Sequence, residues 1–173
     1  ASLADFGLIA PLYAHLYRDP APGALMRERA PAVAAWVERM FEDTPVVGDW
    51  PADDAVPETL LPILQRQFAE QFPVLRDTVS AVERWVADHP DERLPRRLGE
   101  HQFRLGETTG TRALMPYPQW MLQRVLDDYG QLDDAERSKV DRLLARCRGV
   151  DAIQMPISQR IARCDNRLWP VTD

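Results

Sequence analysis

Fifteen prolines stand in this 173-residue chain against eight glycines, and apolar residues recur at three- and four-residue spacing between them. Proline fixes its own φ and has no N–H to donate, so it opens helices and bends or ends them. Prolines at this density, with periodic apolar segments between them, punctuate a run of helices and do not signal disorder. A chain of this length with 45% hydrophobic and 28% charged residues suits one globular domain, which would bury roughly 70% of its unfolded surface.

The periodicity predicts a helix over 3–18, with Leu3, Phe6, Ile9, Tyr13 and Leu16 as its stripe. Gly7 allows close approach of another element and Pro11 should bend it. Few polar residues lie between Leu3 and Leu16, so this helix belongs inside a core. Asp19-Pro20-Ala21-Pro22-Gly23 reads as a break. Pro31 opens a second helix with Val33, Trp36, Val37 and Met40 on one face. Residues 42–56 are a polar connection, dividing 1–41 from an extension over 57–173 that is expected to pack with it as one unit. In the extension, Leu60, Leu61, Leu64 and Phe68 continue through Leu75, Val79, Val82, Trp85 and Val86. Phe72-Pro73 in their midst predicts two helices, or one kinked sharply at Phe72. Alternation around His101, Phe103 and Leu105 with the turn residues Gly-Glu-Thr-Thr-Gly predicts a β-hairpin within 98–115. Two further helices follow, one carrying Trp120, Met121, Val125 and Leu126. The other carries Val140, Leu143, Leu144 and Cys147 and is ended by Gly149. Ile161 and Leu168 fit a strand pair around Cys164-Asp165-Asn166. The fold class is therefore mainly α with a small antiparallel β element.

Charge and ligand chemistry narrow the function. The net charge of −6 argues against a nucleic-acid or anionic-membrane surface, which needs a basic face. Arg93, Arg96 and Arg97 cluster but sit among acids, so they read as solvated surface. Two cysteines and three scattered histidines do not make a structural zinc site, and no metal is expected. No apolar run nears the ~18–20 residues of a membrane span and no signal peptide is visible. These features predict a soluble cytoplasmic protein with reduced thiols.

The sharpest local motif is Ser2-x-x-Asp5. A serine hydroxyl accepts from the backbone amide three residues on, and the acid there reaches back to the serine amide. It reads first as a fold-determining helix cap. With Tyr13-Ala14-His15-Leu16 and Pro31-Ala32-Val33-Ala34-Ala35-Trp36-Val37-Glu38-Arg39-Met40, it resembles the C-terminal helical domain of glutathione S-transferases, over about residues 1–41. In that family a Ser/Thr-x-x-Asp box caps the central buried helix, and a Pro…Trp helix follows. The resemblance implies that Ser2 and Asp5 form this box and that Trp36 is a core residue. Residues 42–173 depart from the common pattern and look like a divergent, extended, bacterial-type member.

The family binds glutathione mainly through an N-terminal thioredoxin-like domain, which supplies the thiol-activating residue. No such pattern occurs in this sequence, so no glutathione site or catalytic residue carries over to it, and glutathione would be a co-substrate of an intact protein only. The sequence reads as a piece whose expected neighbours lie before residue 1. The resemblance implies that it presents the apolar pocket for a small hydrophobic electrophile and is inactive alone. Tyr13 and Tyr17 on the first helix, with Arg104, Arg112, Tyr117 and Trp120 in the extension, are the candidate pocket residues. Tyrosines on a core helix are more often core, and His15 reads as a satisfied core histidine. Arg104 and Arg112 flank the hairpin turn and could clamp an anion as a ligand-binding remnant, against the plainer reading of solvated arginines. Glu100-His101 suggests acid–base chemistry but has no accompanying nucleophile. The alternative function is a non-catalytic helical protein–protein interaction module. Either way, an apolar first helix needs cover from a second copy or from a preceding segment. A clean monomer by light scattering, with no dye-accessible apolar patch, would contradict that expectation.

Overall fold

The proline-punctuated periodicity becomes helices and two small antiparallel hairpins in the computed structural model, which describes residues 3–42, 52 and 55–171. The chain divides into two compact units, Ala1–Asp54 and Ala55–Asp173.

In the first unit, α1 (Leu3–Leu12) runs into a π-helical turn, Tyr13–Tyr17. Pro11 cannot donate to the carbonyl four residues back, and the widened turn follows it at once. Asp5 lies in the first turn of α1, where a carboxylate complements the positive helix end. Ser2, its expected capping partner, lies outside the described residues. The proposed break at 19–23 is instead the start of α2 (Pro20–Arg29). The first turn of a helix has no carbonyl to receive its N–H groups, so Pro20 and Pro22 give up no helical bond there. Gly23 N–H already donates to Asp19 C=O at 2.8 Å.

Pro31 opens α3 (Pro31–Arg39) as expected, and Ala34, Val37 and Met26 form the buried centre of the unit. Ile9, Leu12, Tyr13, Tyr17 and Trp36 pack around them. The expectation of a fully buried first helix is corrected: Phe6 is 62% and Leu8 54% exposed. α1 is apolar on most faces, and a unit of three short helices covers only one of them. His15 is also exposed and is not a core histidine.

The second unit is organised by α4 (Leu61–Asp88), entered through the 3₁₀ turn Glu58–Leu60. The helix is continuous through Pro73 and does not split at Phe72. An interior proline costs about 3 kcal/mol. Burying Leu75, Val79, Val82 and Val86 returns ~1.5–3 kcal/mol for each, which decides the outcome. Two clusters are built on this helix. Leu75 and Val79 meet Leu122 and Met155, while Val82 and Val86 meet Leu94 and Ile161.

The expected hairpin is β1 (Gly99–Leu105) with β2 (Thr108–Leu114), in register His101↔Arg112 and Leu105↔Thr108. Gly106 at φ 60° supplies the positive φ of its two-residue loop. α5 (Tyr117–Gln131) starts on the prolines around Tyr117. α6 (Asp134–Cys147) carries a capping box that the sequence reading passed over. Glu136 N–H donates to Asp133 Oδ1 at 2.8 Å, and Asp133 N–H donates to Glu136 Oε2 at 3.3 Å. At its end the left-handed residue is Arg148 (φ 58°), not Gly149. Gly149 is required for another reason: a Cβ there would stand 2.5 Å from the Phe68 ring. A short α7 (Val150–Ile153) leads to a second hairpin, β3 (Ile161–Cys164) with β4 (Arg167–Pro170). Asp165 and Asn166 both take positive φ in its turn, as a type I′ loop requires.

Candidate functional site

An apolar groove of about 730 Å³ opens in the second unit. The early turns of α4 contribute Leu64, Phe68 and Phe72; α5 contributes Tyr117, Met121 and Val125; α6 contributes Val140 and Leu144. Helical spacing puts each set on one face, so three helices converge their stripes on one channel. Phe68 and Phe72 lie ring to ring at 5.0 Å. Leu75, Leu122 and Leu144 are buried at the base, whereas Met121 is 43% and Val125 55% exposed.

Polar groups in the groove lining are few: Gln67, Gln71, Asp128 and Tyr129. The Tyr129 hydroxyl donates to Asp141 Oδ1 at 2.5 Å. That hydrogen bond raises the phenol above its ordinary pKa. The Arg137 guanidinium stacks over the Tyr129 ring at 4.9 Å. A concave apolar site of this volume with a few polar groups is the general form of a small-molecule pocket.

Of the six candidate pocket residues, Tyr117 lines this groove. Tyr13 and Tyr17 belong to the first unit, where their rings stack at 6.3 Å and the Tyr17 hydroxyl donates to Glu38. Trp120 packs against the Val82–Ile161 cluster, with Arg124 at 5.1 Å and Arg163 at 5.5 Å from its ring. Arg104 donates through Nε to the carbonyl of Gly106 in its own turn at 2.6 Å. The register sets Arg112 on the face of His101, with Arg104 alternating to the other. The cavity of about 460 Å³ that both arginines touch also contains Glu70.

The Glu100–His101 pair is divided as well. Glu100 pairs with Arg97, while His101 Nδ1 meets Asp77 Oδ2 on α4 at 2.9 Å. His101 Nε2 is buried with no polar partner, so among the described residues this His–Asp contact activates no nucleophile.

Gln119 and Gln123 are the polar residues whose role only the fold reveals. Both are buried on α5. Gln123 accepts from Ile161 N–H at 3.0 Å and donates to Ile161 C=O at 2.8 Å, while Gln119 donates to Gln159 C=O at 2.7 Å. An amide side chain thus stands in for a neighbouring strand and pins β3 to α5. The signal available beforehand was two glutamines one helical turn apart on an apolar face.

Both cysteines are free, Cys147 buried and Cys164 exposed. Among the described residues there is no cluster of histidine, cysteine and carboxylate groups able to hold a metal. None of their helices is long and apolar enough to cross a membrane. No protein-family model, curated protein or solved structure matches the chain.

Proposed function

We propose that this chain is the C-terminal part of a glutathione S-transferase-like protein of the cytoplasm, contributing the apolar pocket for a hydrophobic electrophile. The observation that carries this reading is the groove of about 730 Å³ between α4, α5 and α6, whose volume lies in the range of small-molecule sites. The Ser2/Asp5 pair and the Pro31…Trp36 helix support the family assignment, and the mainly helical fold is compatible with it. Of the expected pocket residues, this reading keeps Tyr117 in the groove and leaves Tyr13 and Tyr17 to the first unit. Glutathione would be held and activated by an upstream thioredoxin-like domain of the intact protein. Among the described residues the strands pair only antiparallel, which offers no βαβ unit for that task. The exposed Phe6 and Leu8 would be covered by that domain or by a second copy.

Mixed with glutathione and a generic aryl halide, the 173-residue chain should give no conjugation above the uncatalysed rate. Measurable turnover would overturn the division of labour. The open mouth at Met121 and Val125 supports a second reading, a non-catalytic module whose groove receives an amphipathic helix. A gene that encodes an unrelated domain upstream of Ala1 would favour this second reading.

A further inference from the structure

Four arginines ring a second cavity of the same unit, about 500 Å³ in volume, whose lining contains no carboxylate among the described residues. Arg93 and Arg96 come from the segment after α4, and Arg163 and Arg167 from the β3–β4 hairpin. One backbone hydrogen bond joins the two segments: Leu94 N–H donates to Leu168 C=O at 2.9 Å. Arg93 and Arg167 are the chain neighbours of its two ends. Buried Leu94 and half-buried Leu168 form an apolar floor, above which all four arginines are exposed. The Gln123–Ile161 bonds hold the hairpin in place against α5.

Among the described residues, no acid balances the charge of this ring. Arg163 donates to Asn166 Oδ1 and stacks over Trp120. Arg93, Arg96 and Arg167 have no ion pair, side-chain hydrogen bond or ring contact among the described residues. Elsewhere in the unit arginines find acids: Arg97 with Glu100, Arg146 with Glu58, Arg160 with Asp127. Asp91, Glu92 and Asp165 are close in sequence, yet none of them lines the cavity. In a chain with 27 acidic and 21 basic residues, gathering four guanidinium groups with no carboxylate among the described lining residues creates a local positive field that an external anion would neutralise. Guanidinium forks match carboxylate, sulfonate and phosphate oxygens two at a time.

Tyr117 lines both this cavity and the apolar groove, and the residue is 46% exposed. We propose that the arginine cavity holds the anionic group of an amphipathic small molecule whose apolar body crosses Tyr117 into the α4–α5–α6 groove. The proposal rests on the groove being a ligand site, as the function above requires. It adds the ligand class, an apolar acid in place of a neutral hydrocarbon.

Two dyes with the same aromatic body separate the charge from the groove. 8-Anilinonaphthalene-1-sulfonate carries an anion and N-phenyl-1-naphthylamine does not. Both should bind the 173-residue chain saturably by fluorescence. The double variants Arg93→Gln/Arg96→Gln and Arg163→Gln/Arg167→Gln should each weaken the sulfonate at least tenfold while leaving the neutral dye unchanged, which also reports that the groove remains folded. Sulfonate binding indifferent to both variants would overturn the arginine assignment while leaving the groove reading intact. Failure of the neutral dye to bind, with the sulfonate still arginine-dependent, would overturn the shared ligand and the groove reading together. Arginine-dependent sedimentation with phosphatidylglycerol vesicles would replace the soluble acid by a membrane surface and overturn the proposal.

Discussion

Replacing Gln123 with Leu should lower the stability of the 55–173 unit by about 3 kcal/mol, from two backbone groups left unpaired in the interior. The side chains are similar in size, so packing changes little. What is lost is the acceptor for Ile161 N–H and the donor for Ile161 C=O. Ile161 is 1% exposed and Gln123 4%, so water does not readily replace either bond. In a unit of this size the loss corresponds to a fall of roughly 10 °C in Tm, read by differential scanning calorimetry. A melting point within a degree or two of the parent would mean that β3 is held by its apolar contacts alone. Arg163 and Arg167 ride on the pinned hairpin, so the same substitution should loosen the arginine cavity.

In the first unit, Gly23→Ala should be destabilising against the ordinary helical preference. Alanine normally stabilises a helix interior by about 1 kcal/mol over glycine. Here an added Cβ would stand 2.4 Å from the Tyr17 carbonyl oxygen and 3.2 Å from its carbonyl carbon. Those atoms are backbone in the π-helical turn, so relief requires moving α2 away from it. Overpacking of that kind costs about 1–3 kcal/mol and occasionally more, and we expect a net loss of about 2 kcal/mol. Hydrogen exchange of the α2 and α3 amides should accelerate accordingly. Slower exchange, the outcome propensity alone predicts, would show that the two segments are not in contact.

Much of the architecture was legible because spacing and punctuation agreed. α3, α5 and α6 follow their apolar periods, and the β1–β2 hairpin follows its alternation and glycine turn. α2 escaped, and α4 took the single-helix alternative and not the split, for a common reason: proline's effect depends on position within the helix. Pro20 and Pro22 fall in a first turn, where no bond is lost, and Pro73 falls where burial of the turns that follow it outweighs the break. The site was less legible. Tyr117 stood out among the candidate pocket residues, yet the groove takes its walls from residues between Leu64 and Ile153. No local pattern records that convergence. Arg93 and Arg96 read as solvated surface because their sequence neighbours include acids. The Leu94–Leu168 bond and the packing of Leu94 with Ile161 and Leu168 bring Arg163 and Arg167 alongside, and those acids do not line the cavity.

The most direct measurement of the central claim is a titration of the parent chain and a Val125→Lys variant with the neutral dye N-phenyl-1-naphthylamine. Val125 is 55% exposed, so lysine there should leave the fold intact while placing a charge in the groove mouth. The account predicts saturable binding at a single site, weakened at least tenfold by the lysine. Absence of saturable binding, or binding of equal strength in both proteins, would contradict it.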